Sequence, residues 1–249
     1  MFLESPNSNQ QMAHIKNTGH FWDIYNNTSL GLYLTQKEHE FIQRSIKSGD
    51  SKKHILDVGG GSGRFAIPLH RERHELAVVE RNKRALLLLK DKEKDIKCIQ
   101  GDAKSLPLVE NSFDGIIAIE LFSYFKTRAE RLSVLSECNR VLRNNGFLLF
   151  TTINRLSYKN VFKRITRSER DLASSCHKQS CGQTIDELDQ TGFLVEKTYG
   201  YDWLPFNRNS LVGKLWIGFF AFWENILGLE NLPHVSHWNF FVAQKTRCL

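Results

Sequence analysis

The chain has 249 residues, 41% of them hydrophobic and 24% charged, the composition of a globular protein long enough for one large domain with a full core. Its net charge of +7 permits an anionic partner without requiring one, and its five scattered cysteines, an odd number, read as reduced thiols and not as a disulfide framework. The opening stretch has no apolar run longer than Met1-Phe2-Leu3, so no secretory leader is expected there, and Cys248 stands second from the end, out of place for prenylation. A cytoplasmic location is therefore expected.

Residues 1–19 read as a flexible tail and 20–249 as a single domain, with insertions at about 155–182 and 200–237. From His20 to Ser45 the text is helix-forming, broken at Asn26-Asn27-Thr28 and Gly31. Phe21, Trp22, Ile24 and Tyr25 form an aromatic cluster that either packs on the domain or lies over a ligand. A first strand, His54 to Val58, then runs straight into Gly59, Gly60, Gly61 and Gly63, and a periodic segment from Phe65 to Leu69 follows. Glycine suits a backbone that turns sharply or lets a ligand approach, because it has no Cβ. A strand, a glycine turn and a helix start make a nucleotide-type site. The dinucleotide fingerprint would need a glycine where Arg64 stands, which disfavours a dehydrogenase. Asp57, two residues before the first glycine, suits a ligand carrying a cationic amine.

Strands and helices then alternate, which predicts a doubly wound, mostly parallel α/β sheet. Leu76 to Val79 is a strand ending at Glu80, Arg84 to Leu89 is a helix capped by Asn82, and Ile96 to Ile99 is a strand running into Asp102. Phe113 to Glu120 is the most apolar strand. A Thr127-x-x-Glu130 capping box opens a helix with Leu132, Leu135, Cys138 and Leu142 as its buried stripe, closed by Asn144-Asn145-Gly146 with Gly146 in the left-handed turn. Phe147 to Ile153 is the fifth strand, and Thr184 to Glu187 reads as a second capping box. Phe193 to Tyr199 and Trp238 to Gln244 complete a C-terminal half that looks antiparallel.

Glu80, Asp102 and Glu120 thus fall at strand ends in register with the glycine loop. Ligands of open α/β sheets bind outside the carboxyl ends of the strands, and an acid about twenty residues past the loop is placed for a ribose. In this order and spacing the chain resembles the class I S-adenosylmethionine-dependent methyltransferases, especially the small-molecule, quinone-biosynthesis-like group. The resemblance covers roughly residues 22–192 and the final strand. It implies a seven-stranded Rossmann-like sheet with an antiparallel last strand, and S-adenosyl-L-methionine as cofactor. It further implies that Asp57, Gly59, Gly60, Gly61 and Gly63 cradle the methionine part. Glu80, with Arg81 beside it, would meet the ribose, Asp102 and Ala103 the adenine, and main chain at Glu120 and Leu121 the amino group. Asn144-Asn145-Gly146 departs from the family's Pro-Gly turn, a difference confined to a turn.

Methyl transfer from a sulfonium needs no enzyme nucleophile, so no catalytic residue is assigned and no metal is expected. His20, His177, His234 and His237 are the candidate bases for an acidic acceptor. Glu120-Leu121-Phe122-Ser123-Tyr124 replaces the Asn-Pro-Pro-aromatic sequence of nucleobase amine methylation. An apolar lining from Phe122, Tyr124 and Phe125 instead predicts a small, apolar or aromatic acceptor. Arg155, Lys159, Lys163 and Arg167 recur at helical spacing, as a solvated face or an anion or membrane-surface site. Leu211 to Leu229 carries a Phe- and Trp-rich stripe that is too charged to span a bilayer, with Lys214, Glu224 and Asn225 as its water-facing residues. It reads as a lid, a homodimer face or a peripheral membrane contact. The competing readings are an RNA- or DNA-directed methyltransferase, carried only by the net charge and the basic helix, and a non-catalytic S-adenosylmethionine-binding regulatory protein.

Overall fold

The computed structural model describes residues 28–46, 52–160, 176–204 and 211–246. The N-terminal tail, the aromatic cluster at 21–25, His20, Lys163, Arg167 and Cys248 lie outside them. In chain order the described elements are α1 (Ser29–Ser45), β1 (His54–Val58), α2 (Ala66–Arg71), β2 (Glu75–Glu80), α3 (Lys83–Lys92), β3 (Lys97–Gln100) and β4 (Phe113–Ala118). Then come α4 (Arg128–Val141), β5 (Leu142–Ile153), α5 (Cys181–Gln190), β6 (Phe193–Tyr201), α6 (Leu211–Ile226) and β7 (Trp238–Lys245).

The seven strands form one sheet in the order β3-β2-β1-β4-β5-β7-β6. β1 pairs in parallel with both β2 and β4, while β7 is antiparallel to both β5 and β6. β6 therefore runs in the same direction as β1 to β5, and β7 alone is reversed. The expected antiparallel last strand is thus β7, and the antiparallel pairing of the C-terminal half is that of β7 with β5 and β6, while β6 itself keeps the parallel direction. The physical reason is α5, which carries the chain back across the sheet so that the next strand enters in the original direction.

The chain winds outward from β1 to β3 and then restarts at β4 on the other side of β1. That reversal leaves a crevice at the carboxyl ends of β1 and β4, the switch point where ligands of open α/β sheets bind. Period-two alternation divides the core between the two faces. Ile55, Val78, Ile117, Leu149 and Phe240 point to the face covered by α1, α2 and α3. Leu56, Val79, Ile116, Leu148 and Phe241 point to the face covered by α4 and α5.

Three local expectations shift. The buried side of α4 is Arg131, Val134, Leu135, Cys138 and Val141, one position round from the apolar stripe, because Arg131 is drawn inward by an acid. The left-handed residue after that helix is Asn145, at φ 62°, and not Gly146. Asparagine tolerates this region, and Gly146 is needed instead for close approach, since a Cβ there would stand 2.8 Å from the Arg143 carbonyl. The cap of α5 is Ser180 with Gln183, four residues before the expected box, and the Thr184 hydroxyl only donates back to the Ser180 carbonyl. The apolar helix α6 is also turned differently than expected. Phe219, Phe222, Trp223 and Ile226 are exposed, while Glu224 is buried. No helix among the described residues is long and apolar enough to cross a membrane.

Arg131 fixes the loops that frame the crevice. Its guanidinium donates to Glu187 on α5 at 2.7, 3.0 and 3.2 Å, and to the carbonyls of Phe125 and Lys126 after β4. Gln179 also donates to Glu187, and the His177 amide donates to the Ser123 carbonyl, so the segment entering α5 is tied to the segment leaving β4. Breaking a buried pair leaves its partner uncompensated. Arg131→Ala should therefore cost roughly 3–5 kcal/mol in urea unfolding. A loss under about 1 kcal/mol would show the pair to be dispensable.

Candidate functional site

β1 ends in a loop whose shape depends on glycine. Gly59, Gly61 and Gly63 have φ of 75°, 55° and 93°. The Gly59 amide donates to the Val79 carbonyl at 2.7 Å and the Gly63 amide to the Gly60 carbonyl at 3.0 Å, which folds the loop back over the ends of β1 and β2. A Cβ at Gly60 would meet the Asp57 carboxyl at 2.6 Å, and one at Gly63 would meet Leu89 at 2.5 Å. At Gly61 the outcome differs, because a Cβ there would meet nothing within 4 Å. This glycine faces open space, as a cradle for a ligand must.

The predicted acids surround that space. Glu80 accepts from the Gly61 amide at 3.3 Å and from the Asn82 amide at 2.8 Å, so its carboxylate is held at the mouth of the loop. Arg81 beside it is exposed and offers its carbonyl to Gln100. Asp102 accepts from the Lys104 amide at 2.9 Å across a tight turn containing Ala103. Leu121 lies against Gly59, where a Cβ would approach its Cδ1 to 2.9 Å.

Asp57 is buried beneath the loop, and its Oδ2 has no hydrogen-bond partner. Burial pushes its carboxyl up to about 7, Arg64 works against that rise, and Glu80 adds to it. An orphaned buried carboxylate under an open glycine cradle fits a ligand that brings an ammonium group. The loop, Glu80 and Asp102 therefore suit the methionine, ribose and adenine parts of S-adenosylmethionine.

Glu120 departs from the expected strand end. β4 stops at Ala118, and Glu120 sits in left-handed backbone at φ 58°. Its amide is already bonded to the Thr151 hydroxyl at 2.7 Å, so only its carbonyl, which also accepts from Ser123, can serve a ligand. Its side chain turns to Arg64 at 3.5 Å, and Arg64 also meets Glu38 on α1 at 3.4 Å. Tyr201, at the end of β6, donates to Glu38 at 2.6 Å. Next to it, Asp202 holds Lys159 at 2.8 Å. Glu224 of α6 accepts from the Tyr33 hydroxyl.

Sequence reasoning missed this buried polar network. Its signal was Lys37 and Glu38 in a stripe that otherwise reads Leu30, Tyr33, Leu34, Phe41 and Ile42, all buried. Two further expectations change with it. Lys159 lies in a buried pair and not on a solvated basic face. Phe122 is a core residue packed on Phe150, so only Tyr124, exposed, and Phe125, half-buried, remain to line an acceptor space. Of the histidines, His234 is exposed and His237 meets the Ser157 hydroxyl at 3.4 Å. His177 lies beside the segment leaving β4, and burial, with Arg131 next, lowers its ring below the ordinary value.

Comparison with known proteins agrees with this geometry. Residues 56–150 match the family model described as a methyltransferase domain. The chain is 34% identical over 97 residues to demethylmenaquinone methyltransferase of Thermotoga maritima, covering 38% of this chain and 41% of that protein. It is 28% identical over 138 residues to the ubiquinone/menaquinone biosynthesis C-methyltransferase UbiE of Coxiella burnetii, covering 51% and 53%. The matched stretch thus spans about half the length of these curated relatives. Magnesium protoporphyrin IX methyltransferase from Synechocystis, solved with bound SAH, shares the fold at a TM-score of 0.68 and 11% identity, over 96% of this chain and all (100%) of that one.

The raised Asp57 carboxyl has a measurable consequence. Near pH 6 the group is mostly protonated, and an ammonium-bearing ligand must displace that proton. Affinity for S-adenosylhomocysteine should rise by up to ~10-fold per pH unit from pH 5.5 to 7, then level off, with proton release on the acid side. Titration calorimetry in buffers of different ionisation enthalpy reads both quantities, and Asp57→Asn should flatten the profile. A profile already flat in the parent protein would remove Asp57 from the ligand's amine.

Proposed function

We propose that this chain transfers the methyl group of S-adenosylmethionine directly to a small organic acceptor with an apolar or aromatic body. The observation that carries the reading is the open cradle over Gly61, with the unpartnered Asp57 carboxylate beneath it and Glu80 and Asp102 on its rim. In this reading Asp57, Gly59, Gly60, Gly61 and Gly63 hold the methionine part, Glu80 and Arg81 the ribose, Asp102 and Ala103 the adenine, and the main chain at Glu120 and Leu121 the amino group. The relatives named for quinone biosynthesis favour a small acceptor. The pairing of Lys159 with Asp202 removes one of the cations that would have favoured a nucleic acid.

The bound cofactor supplies an electrophilic methyl on a sulfonium, whose charge disappears as the methyl moves. The task of the chain is to align donor and acceptor and to keep water out. Such alignment can supply ~7–11 kcal/mol of the barrier. The glycine loop shapes the donor's seat with its backbone, which is held by its own hydrogen bonds and costs little reorganisation. Tyr124, after β4, offers an aromatic wall at the rim. Burial, then the neighbouring Cys176, Glu120 and Glu80, push its phenol above the ordinary range, so it stays neutral. His177, lowered in pKa, is also neutral near pH 7 and able to accept a proton from an acidic acceptor.

Calorimetry with S-adenosylhomocysteine tests the reading. Binding is expected at micromolar affinity, and no heat at millimolar ligand would refute the cofactor. Glu80→Ala and Asp102→Ala should each weaken it by about 1–3 kcal/mol, the usual cost of a lost hydrogen bond to a charged group. Gly61→Val should remain folded, at a backbone cost of about 1–2 kcal/mol from its left-handed φ, while losing the ligand, because its branches enter the cradle. A folded Gly61→Val variant that binds as tightly as the parent would place the ligand elsewhere.

A further inference from the structure

We propose that the acceptor carries a cationic amine, received by the carboxylate of Glu224 beside the Tyr33 hydroxyl. The proposal rests on the methyltransferase reading above and adds the charge of the acceptor to it.

Four carboxylates, Glu38, Glu120, Asp202 and Glu224, are buried where α1, α6 and the ends of β4 and β6 meet. The cations facing them are Arg64, Lys159 and Lys37. Arg64 serves both Glu38 and Glu120, and Lys159 serves Asp202. Lys37 bonds to the Asn225 side chain and lies 4.0 Å from Glu40 on its own helix. Lys37 acts on Glu224 electrostatically without bonding to it. Its Oε2 accepts from the Tyr33 hydroxyl, while its Oε1 is out of reach of water and has no hydrogen-bond partner. Glu224 is only 2% exposed on a helix whose neighbouring Phe222, Trp223 and Ile226 all face outward. A glutamate turned inward on an otherwise apolar helix, with one oxygen left unmade, is costly unless something arrives to meet it.

The groups around it suit an ammonium. Tyr33 is bonded to Glu224, and both Glu224 and Asp202 act electrostatically on Tyr158 and on Tyr33. Tyr158 is held in place by a stacked Trp203, 5.6 Å away, and by a bond from its hydroxyl to the Leu204 carbonyl at 3.0 Å. A buried carboxylate with one oxygen unbonded is the chemistry that holds a protonated amine through a charge-assisted hydrogen bond. The cluster joins the cofactor loop through Arg64, the residue that follows Gly63. Two of its acids, Glu120 and Asp202, sit in left-handed backbone at φ 58° and 62°, strained conformations of the kind retained at binding sites. Burial pushes Glu224 up to about 7 against Tyr33 and Lys37, with Asp202 adding to the rise, so an incoming cation would hold it ionised.

The test uses the full chain saturated with S-adenosylhomocysteine, titrated with phenethylammonium and with 2-phenylethanol, which has the same body without the charge. The amine should bind at least about tenfold tighter than the alcohol, and Glu224→Gln should abolish that preference while S-adenosylhomocysteine affinity stays within about twofold. Equal affinity for the two probes, no amine binding at millimolar concentration, or a preference that survives in Glu224→Gln would each overturn the proposal. Should Glu224→Gln fail to melt cooperatively, the comparison of the two probes on the parent protein decides alone. S-adenosylhomocysteine binding without amine preference removes only this inference. Absence of S-adenosylhomocysteine binding removes the cofactor reading and this one together.

Discussion

The guanidinium of Arg64 is the interaction on which the rest of the site depends. It follows the glycine loop directly, reaches Glu120 beyond β4 and Glu38 on α1, and lies over the Phe65 ring with its carbon 4.4 Å from the centroid. Three separate pieces of chain are thereby fixed to one planar, permanently charged group. Its fixed fork of donors suits it to hold two carboxylates at once. The position that would be the third glycine of a dinucleotide fingerprint is therefore an electrostatic anchor here. That substitution does more than exclude one cofactor. It joins the glycine loop to α1 and to the segment after β4.

Arg64 also acts on Asp57, against the rise that burial causes. Asp57 remains buried with one oxygen unpartnered, and its carboxyl is raised accordingly. The loop above it is closed to side chains at Gly60 and Gly63 and open at Gly61. Steric closure on two sides, an opening on the third and an unmet charge below are the features on which the proposed placement of a cationic ligand rests.

Much of this was legible in the sequence because it is local. The strand-glycine-helix run, the acids Glu80 and Asp102 and the Asn82 and Thr127 caps depend on spacing along a few residues, and the structure places them at the expected points. The long-range features were not legible. Nothing near Phe193 tells whether its strand runs up or down, because that depends on the α5 crossover. The partner of Arg131 lies 56 residues away, so the α4 stripe was read one position off. Glu224 looked like a water-facing residue because helical spacing gives a face but not its orientation. Tyr33, 191 residues away, settles it.

The buried acids also shape the energetics of the ligand-free chain. Burial raises Asp57 and Glu224 each to about 7, and raises Asp202 against the opposing Lys159. A carboxyl with a folded-state pKa above its unfolded value keeps its proton longer in the folded state. Its contribution to stability is full below about pH 4 and is lost as pH rises toward 7. At neutral pH these buried acids therefore oppose folding, and the well-packed faces of the sheet must outweigh them. A cation arriving at Asp57 or Glu224 reverses the sign, because it favours the ionised form that burial disfavours. The same groups that weaken the protein when ionised thus couple its stability to the binding of a cation.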